Sequence, residues 1–162
     1  MDSLTTPDDR RRCEVLGVPV DACRDVSAAA IGLHSRGGGR VVTLNAEMTM
    51  AARSHPQLGR AIASAELVIP DGAGVVWALS RQGVRVVKKA GIELAWTLLG
   101  YAASHGWRVA LVGASPEVMG NLRRTLPQTF RGLKLVMAVD GYQPEQAWPE
   151  IEAELALSLI HI

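Results

Sequence analysis

The sequence predicts an α/β fold: a Rossmann-like layered sheet, mostly parallel, with helices on both faces. Short apolar runs rich in Val and Leu recur five times along the chain. They do not alternate with polar residues, as expected of strands covered on both sides. Between them lie longer stretches with helical spacing, so strand and helix take turns, the pattern of parallel strands joined by crossovers. The composition agrees, since 48% of residues are hydrophobic and 20% charged. Such a balance describes a globular chain and excludes a disordered or collagen-like one.

Residues 1–11, polar and without periodicity, read as a disordered tail, and 12–162 as a single α/β core domain. The strand candidates are CEVLGV (13–18), RVVTLN (40–45), ELVIP (66–70), WRVALVG (107–113) and LKLVMAV (133–139). The first helix candidate, 25–35, has Asp25 or Ser27 to cap it. A helical stretch over 46–65 is broken at Pro56, which starts a second short helix. Helices over 74–82 and 91–106 follow, the latter closed by Gly106 in the left-handed position. The stretch 115–128 opens with Ser115 as cap and Pro116 in the first turn. A last helix spans 144–157.

Several function classes are disfavoured at once. A net charge of +1 with only seven aromatics argues against nucleic acid as a partner. Two cysteines, Cys13 and Cys23, fit a reduced cytosolic chain better than a disulfide framework. The polar start lacks the apolar core of a signal peptide, and no apolar run is long enough to span a bilayer. The four histidines, His34, His55, His105 and His161, show no metal-ligand spacing, and there is no DxD triplet to hold a divalent cation. Neither a metal nor another cofactor is expected.

In open α/β sheets ligands bind beyond the carboxyl ends of the strands. The residues found there are Thr43-Leu44-Asn45-Ala46-Glu47, Pro70-Asp71-Gly72-Ala73-Gly74, Gly113-Ala114-Ser115-Pro116 and Asp140-Gly141-Tyr142. All are polar or glycine-rich at one edge, which reads as a cleft. Asp71 stands out because it follows a buried-type strand and precedes glycines that let backbone amides approach a ligand. It admits two readings, a general base or the cap of the helix over 74–82. Thr43 and Asn45 suit sugar hydroxyls or phosphate oxygens, and Asn45 equally suits a helix cap. Gly113 opens a turn that can deliver helix-terminal amides to a phosphate. Tyr142 is either a stacking ring for a nucleobase or a surface aromatic. Lys88 and Lys89 are either counter-charges to a diphosphate or a solvated pair.

In order, Thr43-x-Asn45-x-Glu47, Pro70-Asp71-Gly72-Ala73-Gly74-Val75-Val76-Trp77-Ala78, Gly91-Ile92-Glu93-Leu94, Val112-Gly113-x-x-Pro116 and Asp140-Gly141-Tyr142 resemble the WecG/TagA/CpsF family of bacterial glycosyltransferases. The resemblance runs from about residue 15 to 157. It implies an inverting, metal-independent transfer from a UDP-sugar donor to a polyprenol-diphosphate-linked sugar acceptor in cell-surface polysaccharide or teichoic acid synthesis. The sugar would be N-acetylmannosamine, its uronic acid, or glucose. By position Asp71 would be the base, Thr43 and Asn45 would contact sugar, and Tyr142 would stack on uracil. Gly72, Gly74, Gly91, Glu93 and Gly113 fall within the substrate-binding motifs. Localisation would be cytoplasmic, peripheral at the inner face of the bacterial membrane, and a homo-oligomer is compatible with it.

The sequence departs from the family pattern in three places, one of them a loop between Asp71 and Gly91 that is one residue short. Lys88 occupies the place of a family arginine, which removes a bidentate fork on phosphate. The chain ends in LSLIHI, unlike the family's Arg-rich continuation, so a C-terminal region that meets the membrane is expected to be missing. A non-catalytic UDP-sugar-binding module is therefore the alternative function. An unrelated hydrolase or dehydrogenase is disfavoured by the absence of G-x-S-x-G and of a dinucleotide fingerprint.

Overall fold

The computed structural model describes residues 10–86 and 89–159. The chain divides into two compact units, Met1–Ala95 and Trp96–Ile162. Three strand pairs form among the described residues, two of them parallel and one antiparallel. With the helices between them they make the α/β architecture that the sequence predicts.

The first unit opens with an antiparallel hairpin, β1 (Arg10–Val15) and β2 (Val18–Cys23). This corrects two expectations. The apolar run 13–18 is not one strand, because Leu16 and Gly17 take φ of 53° and 78° and reverse the chain. Positive φ at both central residues is the signature of a type I′ turn, whose twist matches that of the flanking strands. The strand also begins at Arg10, inside the stretch read as tail; residues 1–9 lie outside the described ones.

A buried charge ties this hairpin to Val68, 47 residues further along the chain. Asp21 is 0% exposed and receives both Nε and Nη2 of Arg12, at 2.8 and 2.7 Å. Its Oδ2 also accepts the amide of Val68 at 2.8 Å. A carboxylate so deep inside is tolerated only because it is paired and hydrogen-bonded. The same bond holds the Arg12 guanidinium above its ordinary pKa.

Beyond the hairpin, α1 (Val26–Ser35) is capped by Asp25, which accepts from the Ala28 amide at 3.0 Å. β3 (Val41–Leu44) pairs in parallel with β4 (Leu67–Pro70). They are linked through α2 (Ala46–Ser54) and α3 (Pro56–Ala63), broken at Pro56 as the sequence predicts. Every residue of β4 is buried. α4 (Gly72–Arg81) starts two residues earlier than expected, on Gly72 with φ of 78°. Its Val75 and Leu79 close the unit's core with Val20, Leu44, Ile62 and Val68.

α5 (Gly91–His105) ends at Gly106, whose φ of 69° bears out the left-handed closure. In the second unit β5 (Arg108–Val112) pairs in parallel with β6 (Lys134–Val139). α6 (Pro116–Thr129) is capped by Ser115, and α7 (Trp148–Leu159) follows a short 3-10 turn at Glu145–Ala147. The last helix therefore begins four residues later than predicted. Ala102, Leu126 and Leu133 form this unit's core, with Leu99, Trp107 and Phe130 packed on it. No helix among the described residues is long and apolar enough to cross a membrane.

Candidate functional site

In the first unit the ends of β3 and β4 set the geometry. Leu44 pairs with Pro70, and the ladder continues one step further as the Asp71 amide donates to the Leu44 carbonyl at 2.8 Å. Asn45 and Asp71 therefore leave the sheet at one level, where two helices begin, with Thr43 still in β3 opposite Ile69.

Asn45 and Asp71 stand at equivalent helix starts and behave differently. Asn45 caps α2, its Oδ1 accepting from the Met48 amide at 2.7 Å. That is the capping reading of this residue, and it occupies the side-chain oxygen. Asp71 holds the N-cap position of α4 with extended backbone, yet makes no side-chain cap bond. Its Oδ2 accepts instead from the Gly91 amide at 3.3 Å, where α5 starts. The sequence-based alternative of a plain cap is thus not what the carboxylate does.

Gly91 is pressed against two other candidates. A methyl group there would lie 2.9 Å from Thr43 Cγ2 and 3.2 Å from Asp71 Oδ2, too close without movement. Thr43, Asp71 and Gly91 are therefore brought together, and glycine is what lets the α5 amide reach the carboxylate. Gly74 makes a similar approach, its would-be methyl 3.0 Å from Ala46 Cβ, so α4 and α2 start close to one another. Glu93 turns back on its own helix, with Oε2 accepting from the Ala90 amide at 3.2 Å. A carboxylate in the first turn satisfies an otherwise orphaned donor and suits the positive end of the helix.

Lys88 lies outside the described residues. Its neighbour Lys89 donates to Ser27 Oγ, at the start of α1, so it is held by the protein and is not a merely solvated lysine.

In the second unit Gly113 and Tyr142 form a separate group. The chain leaves β5 through Gly113 (φ 122°) and Ala114 (φ 60°), and Ser115 then caps α6. Gly113 donates to the Val139 carbonyl and Gly141 to the Ala114 carbonyl, both at 2.9 Å. A methyl on Gly141 would come within 3.3 Å of Gly113 Cα, so the two strand ends nearly touch. Tyr142 stands beside them, 78% exposed.

Sequence reasoning overlooked what sets Tyr142 in place. Asp140 accepts from the Tyr142 amide at 3.0 Å and from Gln143 Nε2 at 2.9 Å. The first of these is an Asx turn, for which an Asp two residues ahead of an exposed aromatic is a readable signal. The positive φ of Ala114 was equally overlooked; no glycine, Asn or Asp marks that position.

Comparison with known families agrees with the motifs. The sequence model of the glycosyl transferase WecG/TagA/CpsF family matches residues 13–161 of this chain. That match lends no support to the expected loss of a C-terminal region. The chain belongs to this family. It is a glycosyltransferase of cell-surface polysaccharide synthesis, a family whose donors are nucleotide sugars and whose acceptors are lipid-linked.

Proposed function

We propose that this member of the WecG/TagA/CpsF glycosyltransferase family moves a sugar from a UDP-sugar to a polyprenol-diphosphate-linked sugar, with inversion and without a metal. The sugar is N-acetylmannosamine, its uronic acid or glucose. The observation that carries this reading is the state of Asp71. Its carboxylate is withheld from the helix that follows it and lies at a sheet edge beside Thr43.

In an inverting displacement the acceptor hydroxyl loses its proton as its oxygen bonds to the anomeric carbon. The bond from that carbon to the diphosphate oxygen breaks on the opposite side. Asp71 takes the proton, a task suited to a carboxylate in hydrogen-bond reach of the hydroxyl. The Gly91 amide keeps one oxygen oriented, leaving Oδ1 to face the acceptor. Thr43 and Asn45 meet the sugar, and because Asn45 Oδ1 already serves α2, its amide NH2 is the group that donates. Gly72 and Gly74 keep the start of α4 free of side-chain bulk near the base. Charge developing on the UDP leaving group calls for helix-terminal amides and cationic side chains, the parts that the family resemblance gives to the Gly113 turn and to Lys88. Tyr142 stacks on the uracil. The reaction takes place at the inner face of the bacterial membrane, where the protein is peripheral.

The test is single-turnover transfer by Asp71→Asn at saturating donor and acceptor, with thermal unfolding followed on the same samples. Asn preserves size but is no base. Turnover should fall about 10²–10⁴-fold, the usual contribution of a positioned base, while UDP-sugar affinity and melting temperature stay nearly unchanged. An Asn variant that transfers at the wild-type rate overturns the assignment.

A further inference from the structure

Three consecutive residues at the entry to α5 are each held by a different part of the first unit. Lys89 donates through Nζ to Ser27 Oγ, in the first turn of α1. The Ala90 amide donates to Glu93 Oε2 at 3.2 Å, in the first turn of α5 itself. The Gly91 amide donates to Asp71 Oδ2 at 3.3 Å.

The Lys89 bond is not what a lysine makes by local rules. A lysine stem ordinarily carries its ammonium out to water, and fixing it costs rotamer freedom. Here the residue is half-buried and its head rests on a serine that is 9% exposed and 62 residues distant in sequence. That serine is not needed to start its own helix, because Asp25 caps α1 through the Ala28 amide. Its hydroxyl is therefore available to the loop before α5.

Lys89 and Gly91 are two residues apart, a chain length of about 7 Å at most. Over so short a span, an anchor at Lys89 limits where the Gly91 amide can lie. The bond from Gly91 to Asp71 depends on that limit. At 3.3 Å it is already longer than the usual N–H···O range, so a small displacement breaks it.

We propose that Lys89, anchored on Ser27, is a positioning residue for the transfer reaction: it holds the Gly91 amide on Asp71 and so aims the carboxylate at the acceptor hydroxyl. The inference rests on the reading of Asp71 as the base. It separates Lys89 from a counter-charge to the diphosphate, whose loss would be felt in UDP binding and would not depend on Asp71.

Ser27→Ala and Lys89→Met are made in the wild-type chain and again together with Asp71→Asn, and Ser27→Thr serves as the variant that keeps the hydroxyl. Single-turnover transfer is measured at saturating acceptor and saturating amounts of whichever of the three UDP-sugars the wild type uses. UDP affinity is read by calorimetry and folding by melting temperature. With Asp71 present, both changes should lower the rate about 10-fold or more, toward the roughly 10²-fold cost of a displacement near 1 Å. UDP affinity should hold, and Ser27→Thr should transfer near the wild-type rate. With Asp71→Asn in place, neither change should slow transfer further, because residues that act through one group are not additive. A rate that drops by the same factor in both backgrounds overturns the proposal, as does a loss confined to UDP affinity. Should Lys89→Met fail to fold, Ser27→Ala decides by the same comparison. A slow Asp71→Asn chain beside a Ser27→Ala chain at the wild-type rate overturns this inference alone. Asp71→Asn at the wild-type rate overturns the base assignment, and this inference with it.

Discussion

The carboxylate of Asp71 accepts its hydrogen bond from the backbone of Gly91, twenty residues further along the chain, at 3.3 Å. A helix start that would ordinarily attract an Asp side chain is passed over in favour of the start of another helix. Both ends of the bond sit where a small change in position alters what the carboxylate can reach.

Gly91→Ala tests that relationship. The added methyl must push on Thr43 or on Asp71 Oδ2, at 2.9 and 3.2 Å. A displacement near 1 Å at a reacting group costs roughly 10²-fold in rate, whereas overpacking costs about 1–3 kcal/mol of stability. The expected outcome is a large fall in kcat, little change in KM for the donor, and a modest loss in Tm. Unaltered kcat would mean that Gly91 does not position the base.

Tyr142→Ala should weaken UDP binding by about 1–3 kcal/mol, the scale of base–aromatic stacking. The ring is 78% exposed, so the melting temperature should hardly move. Asp140→Ala removes the Asx turn behind the ring and should weaken UDP binding in the same direction. Calorimetric titration of UDP reads both, and wild-type affinity in the tyrosine variant would return it to an ordinary surface aromatic.

Transfer activity should survive EDTA. The sequence has no DxD triplet and no His pair at ligand spacing, so the leaving diphosphate has to be met by amides and cations. A collapse in rate that Mg²⁺ or Mn²⁺ restores would reject that account.

Leu16→Asn should stabilise the protein. Leu16 is 60% exposed and sits at φ 53°, ahead of Gly17 in a type I′ turn. Asn-Gly is the preferred pair there, and a non-glycine residue held in that region costs on the order of 1 kcal/mol or more. Chemical denaturation should show a gain of about 1 kcal/mol, with activity unchanged.

Acid stability should carry the mark of Glu66. Donation by the Arg40 amide at 2.6 Å holds this carboxyl below the ordinary glutamate value. A carboxyl lowered in the folded state adds stability above its unfolded pKa and loses it as pH falls through the folded value. Wild type should therefore melt higher than Glu66→Gln at neutral pH, and the gap should close in the acid range below the ordinary glutamate pKa. A gap that widens with acid would reverse the sign.

Much of the helical framework is legible because its signals are local. Asp25 and Ser115 cap helices, Pro56 breaks one, and Gly106 closes one, each within a turn of the residues it affects. The apolar runs at 40–45, 66–70, 107–113 and 133–139 likewise hold β3 to β6, although only β4 is buried along its whole length. The site motifs were readable too, as residues in order. The hairpin was not, because Leu16-Gly17 lies inside an apolar run and Leu16 is not one of the residues that usually open such a turn.

Side-chain partners across long stretches of chain were decided only by tertiary structure. In sequence, Asp21 is an ordinary strand aspartate; in the fold it is a buried charge shared by Arg12 and the Val68 amide. Asn45 and Asp71 both precede helices, and local rules offer both the same role. One caps and the other does not, because an unsatisfied amide from the start of α5 stands within reach of Asp71. Sequence spacing determines where helices and strands form, since that depends on neighbours a few residues away. Which carboxylate is spared for chemistry depends on the donors that packing brings to it, and those come from elsewhere in the chain.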